Sequence, residues 1–540
     1  MNKSQSVSCV VVRPVRTLTI RFALILVVPV LFGATGCGSE SKGPQAKASA
    51  PTAIRIGVAQ PSPAAARSLA NLLISDSLVG IRSDGRPVDR LVSEWAWTAD
   101  QLGLRLRLRP NLQFHDGTPI DIAYFKQSLE ATIEAARKEP PESDAMVSDP
   151  SVIGIEVDPN ERDWVVVKLS RKEAFLLDDL GSAGLRHPTN QSYGTGPYKL
   201  EATSDKVRLT AFDRYYRGHP QIGVVEIHSF GEQRASWAAL MRGEIDAVHE
   251  IAPNALDFLQ ADGQTGVNTY AFVRPYYIQL VFNVRHPILK NPAVRQALSY
   301  GVDRQQIVDL ALNKQGMVAE GPIWPYHWAY STARRIYTHN SEAATLRLDS
   351  TGLKLKPASV KGQMPSRLRI RCLTVAGDSR YEKIALILQK QLYEIGVDLE
   401  IETAPVAAVV KRLVSGDFDT VLIQRIAARS LAWTYLTFHS SKQNTGYKAA
   451  DRILDRLRET IAEAEIRTLV SDLQQTFHDD PPAIFITWPK VARVVSARFQ
   501  VPDEAGRVAP GTNSRFQVPD EAGRDVLGSL WQWRPADVSR

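Results

Sequence analysis

One stretch near the start of the chain, residues 91–129, combines a strand, a tight turn and a helix in a fixed order. Residues 104–109 (LRLRLR) alternate leucine and arginine, which is the pattern of a strand with one buried face and one solvated face. The Asp-Gly pair at 116–117 is a turn signal. Asp121 is a candidate N-cap for a helix over 122–132. The order predicts a locally folded α/β unit.

The N-terminal segment has the features of an export signal. Lys3 and several arginines precede an apolar run over 22–32, which is too short to cross a bilayer comfortably. Small residues (GATG) and then Cys37 follow this run, in a pattern similar to the lipobox of bacterial lipoproteins. We predict a signal peptide over 1–36, lipidation of the Cys37 thiol and a flexible tether over 37–52. The alternative is an ordinary signal peptide with an incidental cysteine.

Composition excludes some classes of protein. The 540 residues are enough for two or three domains. The 65 basic residues exceed the 58 acidic ones, for a net charge of +7. This excess is spread thinly, without a basic run, so nucleic-acid binding is not indicated. Cys9 lies in the signal, so Cys372 has no internal disulfide partner after processing. Cys372 is predicted to be a small buried hydrophobe.

Three further segments carry structural signals. Residues 194–198 (GTGPY) place glycines where the backbone must approach another segment closely. Residues 237–246 (WAALMRGEID) indicate a short helix, a glycine stop and the start of a strand. After a strand over 277–282, Asn291 is predicted to cap one helix and Asp303 the next. Between 368 and 424 the pattern is β-α-β-α-β, which predicts a partly parallel sheet.

Together these segments resemble the bacterial extracellular solute-binding proteins of family 5, the peptide- and nickel-type receptors of ABC importers. The resemblance covers roughly 91–489, and it rests on the motifs above together with FHDGTP at 114–119, YYRGHP at 215–220 and VRQA at 294–297. It implies an α/β, two-lobed periplasmic-binding-protein fold (type II, large cluster-C-like) with an extra subdomain and a two-strand hinge.

The resemblance also implies a division of the chain into lobes. Lobe I is discontinuous, because the family's chain leaves it for lobe II and later returns. The two hinge strands are expected near 276–283 and 483–488. The predicted parts are 53–75 as the first part of lobe I, 76–191 as an inserted subdomain, 192–275 as the second part of lobe I, 276–483 as lobe II, and 484–540 as the return to lobe I with a duplicated tail (RFQVPDEAGR, at 498–507 and 515–524).

Metal binding and catalysis have little support in the sequence. The ten histidines are scattered, without a pair at metal-ligand spacing, and no cysteine pair has that spacing either. There is no nucleophile elbow, P-loop or framed carboxylate pair. We therefore predict no catalytic residues, no metal and no cofactor, with an enzyme as the third-ranked class of function.

The family suggests where a solute would bind. Its peptide binders present an aspartate after the strand corresponding to 419–424, and this acid pairs with the peptide's ammonium group. Here residues 425–435 contain no acid but include Arg425 and Arg429, whose guanidinium groups suit carboxylate or phosphate. The alternative is that both arginines face solvent or pair internally. Aromatic residues nearby, including Trp324, either line the cleft or belong to the core. The predicted ligand-binding residues are Tyr277, Asn283, Arg425, Arg429, Trp433, Tyr447 and Trp488.

The sequence thus predicts a receptor of the cell envelope, located in the periplasmic space and lipid-anchored to a membrane, rather than an enzyme. It would act as a monomer, capture a small organic solute (peptide-like or anionic) between two lobes and dock on an ABC permease in the membrane. The alternative is a lipid-anchored sensor or binding scaffold with the same fold and no role in transport.

Overall fold

A computed structural model describes the greater part of the body of the protein. The described residues are 52–59, 63–138, 151–201, 207–251, 266–333, 335–357, 365–502 and 526–536. The predicted signal peptide, Cys37 and the second copy of the tail repeat lie outside them. Among the described residues, no helix is both long enough and apolar enough to cross a bilayer.

The strands within this part of the chain are mostly short, and β18 is the longest of them. In chain order they are β1 Ala53–Ala59, β2 Val79–Ile81, β3 Pro87–Asp89, β4 Val92–Trp97, β5 Gly103–Leu108, β6 Val152–Val157, β7 Trp164–Leu169, β8 Tyr198–Glu201, β9 Val207–Ala211, β10 Val224–Phe230, β11 Ala247–Ile251, β12 Val267–Val273, β13 Tyr276–Phe282, β14 Gly316–Val318, β15 Leu368–Val375, β16 Val397–Ala404, β17 Thr420–Ile426, β18 Ala483–Ser496, β19 Phe499–Gln500 and β20 Arg534–Pro535.

The helices are concentrated in the second half of the chain. They are α1 Pro63–Ile74, α2 Ile122–Lys138, α3 Leu176–Leu180, α4 Gln233–Met241, α5 Pro292–Tyr300, α6 Arg304–Ala311, α7 Ser341–Ser350, α8 Ser379–Glu394, α9 Val406–Ser415, α10 Leu431–Phe438, α11 Asp451–Glu459 and α12 Glu463–Asp479, with a 3-10 helix at Val526–Gln532.

The largest sheet has twelve strands, in the order β16-β15-β17-β13-β18-β11-β1-β10-β9-β8, and β12 and β14 also pair with β18. Its first half-sheet (β1 and β8–β12) contains β1 parallel to β10 and β11. Its second half-sheet (β13–β17) contains β15 parallel to β16 and β17. Helices α8 and α9 connect these three parallel strands, so the predicted β-α-β-α-β unit is confirmed.

Two stretches of chain run through both half-sheets. Strand β18 pairs with β13 over residues 483–487 and with β12 over 490–496. Strands β12 and β13 are themselves separated only by Arg274 and Pro275. Side chains of β18 alternate between faces, as the strand period requires. Ile484 and Ile486 pack on one face with α5, α6 and α8, and Phe485 packs on the other with α10 to α12.

Separate hydrophobic clusters lie on the two half-sheets. One surrounds β13 and β15–β17 and contains Cys372, which is fully buried as predicted. Burial raises the pKa of this thiol to about 12. A second cluster is formed by β1, β8–β10 and α1. A third belongs to a four-stranded unit, β4-β5-β7-β6 with α2, which is built between β1 and β8 in the chain.

The predicted helix caps are present. The amide of Tyr124 donates to Asp121 Oδ1 at 2.8 Å, although the helix continues beyond 132 to Lys138. Asn291 accepts from the amide of Ala293. Asp303 caps α6, which ends at Ala311. Each cap satisfies amides that the first helical turn leaves without a partner.

Candidate functional site

A cavity lies where the carboxyl ends of parallel strands from the two half-sheets face each other. In α/β sheets this edge is the usual position of a binding crevice. Strands β1 and β11 end at the cavity from one side, and the loop after β15 reaches it from the other. Strand β18 crosses between them. The cavity has a volume of about 360 Å³, enough for a small organic molecule. Its lining residues are Val58, Ala59, Gln233, His249, Glu250, Ile251, Ala311, Leu312, Asn313, Asp378, Ser379, Arg380, Lys383, Pro489, Lys490 and Val491.

The wall on the first half-sheet carries a paired acid. Glu250 lies near the end of β11, and its carboxylate accepts a hydrogen bond from Nη2 of Arg274. Its backbone oxygen accepts from Nε2 of Gln233, the first residue of α4, at 3.1 Å. Both partners come from other elements, so the position of Glu250 is held from two sides.

The opposite wall carries a second acid–arginine pair. Asp378 follows β15 and caps α8, because its Oδ1 accepts the amide of Arg380 at 2.9 Å. Arg380 Nη2 also donates to Asp378 Oδ2 at 2.7 Å. Burial acts to raise the pKa of Asp378, but the hydrogen bond and charge of Arg380 lower it overall. The pKa of Arg380 is raised mainly by Asp378, and Glu250 across the cavity adds to the rise.

None of the seven residues predicted to bind ligand lines this cavity. Tyr277 in β13 and Trp488 in β18 form a buried aromatic cluster with Trp324. The ring of Trp488 lies 5.1 Å from that of Tyr277 and 5.4 Å from that of Trp324, with all three almost fully buried. Their burial is typical of core residues.

Arg425 and Arg429 occupy different surroundings. Arg425 lies near the end of β17, opposite Tyr277 in β13. The amide of Gln424 donates to the hydroxyl of Tyr381 at 3.1 Å, which connects this strand end to the residue after Arg380. Arg429 has a φ of 60°, in the left-handed region, and its guanidinium carbon lies 5.9 Å from the ring centre of Trp324.

The loop containing Arg429 packs against the β2–β3 hairpin and helix α3. A Cβ atom on Gly85, in that hairpin, would lie 2.6 Å from the carbonyl oxygen of Arg429, so only glycine fits there. Ser430 donates to Asp178 Oδ2 at 2.5 Å, and Trp324 Nε1 donates to the oxygen of Ser83 at 2.8 Å.

The remaining predicted residues lie apart from one another. The side-chain amide of Asn283 donates to the backbone oxygens of Gly416 and Phe418, at 3.2 and 2.7 Å. The hydroxyl of Tyr447 donates to the oxygen of Asp480 at 2.9 Å. Trp433 is half-buried in α10. The role of all seven residues in ligand binding stays a prediction.

The charged lining residues were missed by sequence reasoning, although one signal was available. Asp378 lies between strand β15 and helix α8, and Ser379 is the first residue of that helix; sites in α/β sheets form at this position. Glu250 and Lys490 carry no comparable local signal. Among the described residues, no group of three or more His, Cys, Asp or Glu side chains is arranged to hold a metal ion.

A mixed α/β sheet divided into two halves, with a cavity between facing strand ends, defines a two-lobed solute-binding protein. Residues 86–447 match the family described as bacterial extracellular solute-binding proteins, family 5 Middle. The chain belongs to this family, as the sequence motifs predicted. The family consists of solute-binding receptors rather than enzymes, in agreement with the predicted class.

Curated relatives are distant in sequence. The chain is 25% identical over 351 residues to the probable D,D-dipeptide-binding periplasmic protein DdpA of Escherichia coli, covering 62% of this chain and 64% of that protein. It is 24% identical to the oligopeptide-binding protein AppA of Bacillus subtilis, covering 55% and 56%. The chain therefore spans less than two thirds of the length of these two relatives. A glutathione-binding protein, GsiB of Pectobacterium atrosepticum, is 23% identical, with 78% and 83% covered.

Solved structures share the whole fold. The ABC transporter substrate-binding protein CtaP of Listeria monocytogenes superposes with a TM-score of 0.73 at 19% identity, covering 90% of this chain and 99% of that one. NikZ of Campylobacter jejuni, in complex with Ni(L-His), has a TM-score of 0.69 at 22% identity, with 89% and 99% covered. These likenesses confirm the predicted two-lobed periplasmic-binding-protein fold.

Proposed function

We propose that this protein is the extracytoplasmic receptor of an ABC importer, which captures a small organic solute between two lobes and delivers it to a membrane permease. The observation that carries the proposal is the cavity of about 360 Å³ between the strand ends of the two half-sheets. Relatives whose names describe peptide binding, one of them as a periplasmic protein, support the same function.

The lobe boundaries are part of this proposal. Lobe I comprises 53–75, 192–275 and 484–540, with 76–191 as its inserted subdomain, and lobe II comprises 276–483. Two continuous stretches of chain, β12–β13 and β18, run between separate hydrophobic clusters. Such a connection permits hinge closure, because few residues need to change conformation. A solute that contacts both walls then favours the closed state.

The proposed receptor is a monomer attached to the cell envelope by a lipid on Cys37. This attachment would keep it at the membrane surface where the permease lies. One acyl chain gives only marginal membrane affinity, so stable anchoring requires more than one chain. Processing at 1–36 would leave the tether 37–52 between the lipid and the folded body.

The proposal is tested by identifying the solute that the protein carries. The protein is purified from membranes in detergent and denatured, and the released small molecules are measured by mass spectrometry. We expect one organic solute at near-stoichiometric amount. Its uptake should also fail in cells that lack the protein.

A pair of substitutions links the solute to the cavity. Ser379→Trp places an indole in the cavity and should abolish retention of the solute. Ser415→Trp, on the exposed end of α9, is the control and should leave retention unchanged. Equal retention of the solute in both variants, or normal uptake of the identified solute in cells that lack the protein, would contradict the proposal.

A further inference from the structure

The two acids that line the cavity are already matched by arginines. The carboxylate of Glu250 is hydrogen-bonded by Arg274, and that of Asp378 by both the side chain and the amide of Arg380. These four groups form two neutral pairs on opposite walls. An incoming ammonium group would have to displace an arginine, whose planar donors hold a carboxylate more tightly than a single cation does.

Two lysines in the same cavity have no acidic side chain paired with them among the residues that the structure describes. Lys383 lies one turn into α8, on the wall of the second half-sheet, and Lys490 lies on β18 at the crossing. No acid forms an ion pair with either ammonium group in the described part of the chain. The charged residues of the cavity therefore leave two positive charges uncompensated, on two different elements.

We propose that Lys383 and Lys490 form the site for an anionic group of the solute, so that the receptor selects molecules with a carboxylate and no compensating ammonium group. The inference rests on the proposed function and names the class of its substrate. A carboxylate between the two lysines would bridge helix α8 and the crossing strand, so binding would favour one arrangement of the two walls.

The dipoles of two helices at the cavity also favour a negatively charged solute. Helices α4 and α8 both begin at the cavity, with Gln233 and Ser379 as their first residues. The positive ends of their dipoles therefore lie at the cavity wall and favour negative charge there. A zwitterion gains less, because its ammonium group meets the same positive field.

Three forms of one small molecule test the charge preference. Dialanine, N-acetyl-dialanine and dialanine amide share their side chains and differ in net charge. Binding to the detergent-solubilised protein is measured by calorimetry after exchange of any bound solute. We expect N-acetyl-dialanine to bind and dialanine amide to bind at least about tenfold more weakly, as the energy of one charge pair near a protein surface allows.

Substitutions of the two lysines test whether they cause the charge preference. Lys383→Gln and Lys490→Gln should each weaken N-acetyl-dialanine binding about tenfold and reduce its salt dependence. Lys411→Gln, on the exposed face of α9 and outside the cavity, is the control and should change nothing. Unchanged binding in both cavity variants, no binding of N-acetyl-dialanine, or binding of dialanine or its amide as tight as that of N-acetyl-dialanine overturns the inference. Binding of dialanine or its amide would still support a receptor function. If none of the three compounds binds and no solute is released from the purified protein, the proposed function is contradicted as well.

Discussion

Nε2 of His115 lies 3.0 Å from the carbonyl oxygen of Gly196, and the amide of Gly194 donates to Nδ1 of the same ring at 3.2 Å. The ring therefore carries its proton on Nε2, because Nδ1 acts as an acceptor. Two motifs that are far apart in the sequence, FHDGTP and GTGPY, meet at this buried imidazole. Both motifs thus serve to join the four-stranded unit to the first half-sheet.

The contribution of two buried histidines to the stability of the protein should fall when the pH drops below about 6.5. Burial lowers the pKa of His115 to about 4, although its hydrogen bond to Gly196 acts the other way. Burial also lowers the pKa of His327 to about 4. Both folded-state values lie below the ordinary value of 6.5. Their stabilisation is therefore present above pH 6.5 and is lost as the pH falls toward 4.

The measurement is the free energy of unfolding by denaturant between pH 7 and pH 4. We expect His115→Gln and His327→Gln to lose less stability than the parent over this interval. His219→Gln, at an exposed histidine, serves as the control and should follow the parent. Buried Asp178, with a pKa raised by burial to about 6, contributes in the opposite direction, so the difference from the parent is the quantity to compare. Identical slopes in all variants would disprove the assignment.

Gly194→Ala should destabilise the fold by about 1–3 kcal/mol or more, the usual effect of overpacking. A Cβ at this position would lie 2.1 Å from the carbonyl oxygen of Ile74, a backbone atom, so relief requires a shift of the chain. Gly231→Ala is the matched control, because a Cβ on Gly231 would have no atom within 4 Å beyond its chain neighbours. Denaturant unfolding compares the two, and equal midpoints would show that the contact between 194 and Ile74 is not tight.

Arg458→Met should cost about 1–3 kcal/mol, because it removes the nearer arginine from a buried carboxyl and leaves Arg171 at 3.9 Å from Glu173 Oε2. Nε of Arg458 lies 2.6 Å from Glu173 Oε2, and both side chains are largely buried between α11 and the segment before α3. Burial lowers the pKa of Arg458 to about 10 and raises that of Glu173 to about 8. Arg456→Met breaks an exposed pair with Glu465 and should cost about 1 kcal/mol or less. Thermal unfolding of both variants measures the two losses of stability. Similar losses would mean that the buried ion pair contributes no more than the exposed one.

Cys37→Ser should move the protein from the membrane fraction to the soluble fraction, since lipidation needs the thiol. Cys9→Ser, within the predicted signal, is the control and should leave the protein membrane-bound. Fractionation with a high-salt wash separates lipid anchoring from charge attraction, which salt weakens. Persistence of the Cys37→Ser variant in washed membranes would exclude the lipobox.

Arg425→Ala and Arg429→Ala test the site predicted from the sequence. If either guanidinium pairs with an anion of the solute in a buried site, its loss should weaken binding by more than two decades, as expected for about 3–5 kcal/mol. Calorimetry with the co-purified solute measures this, and Arg369→Ala, at an exposed arginine, is the control. Unchanged binding in both variants, or tight binding of ordinary dipeptides to the parent, would retire this prediction.

Local patterns were sufficient to predict many of the secondary-structure elements. The β-α-β-α-β order predicted between 368 and 424 matches strands β15, β16 and β17 with helices α8 and α9 between them. The helix N-caps Asp121 and Asp303 could also be predicted from the sequence. Periodicity and capping depend on hydrogen bonds between residues within one or two turns of each other, so a short window of sequence contains the relevant information.

The cavity and its charges depend on contacts that no short window contains. Glu250, Asp378 and Lys490 come from three distant segments, and only the pairing of β18 with both half-sheets brings them to one place. The surroundings of Arg429 likewise depend on a distant segment, because its loop packs on Gly85. The charge of each side chain follows from the sequence, but whether an acid is already matched by an arginine follows from long-range packing. The proposed charge preference of the cavity rests on that matching.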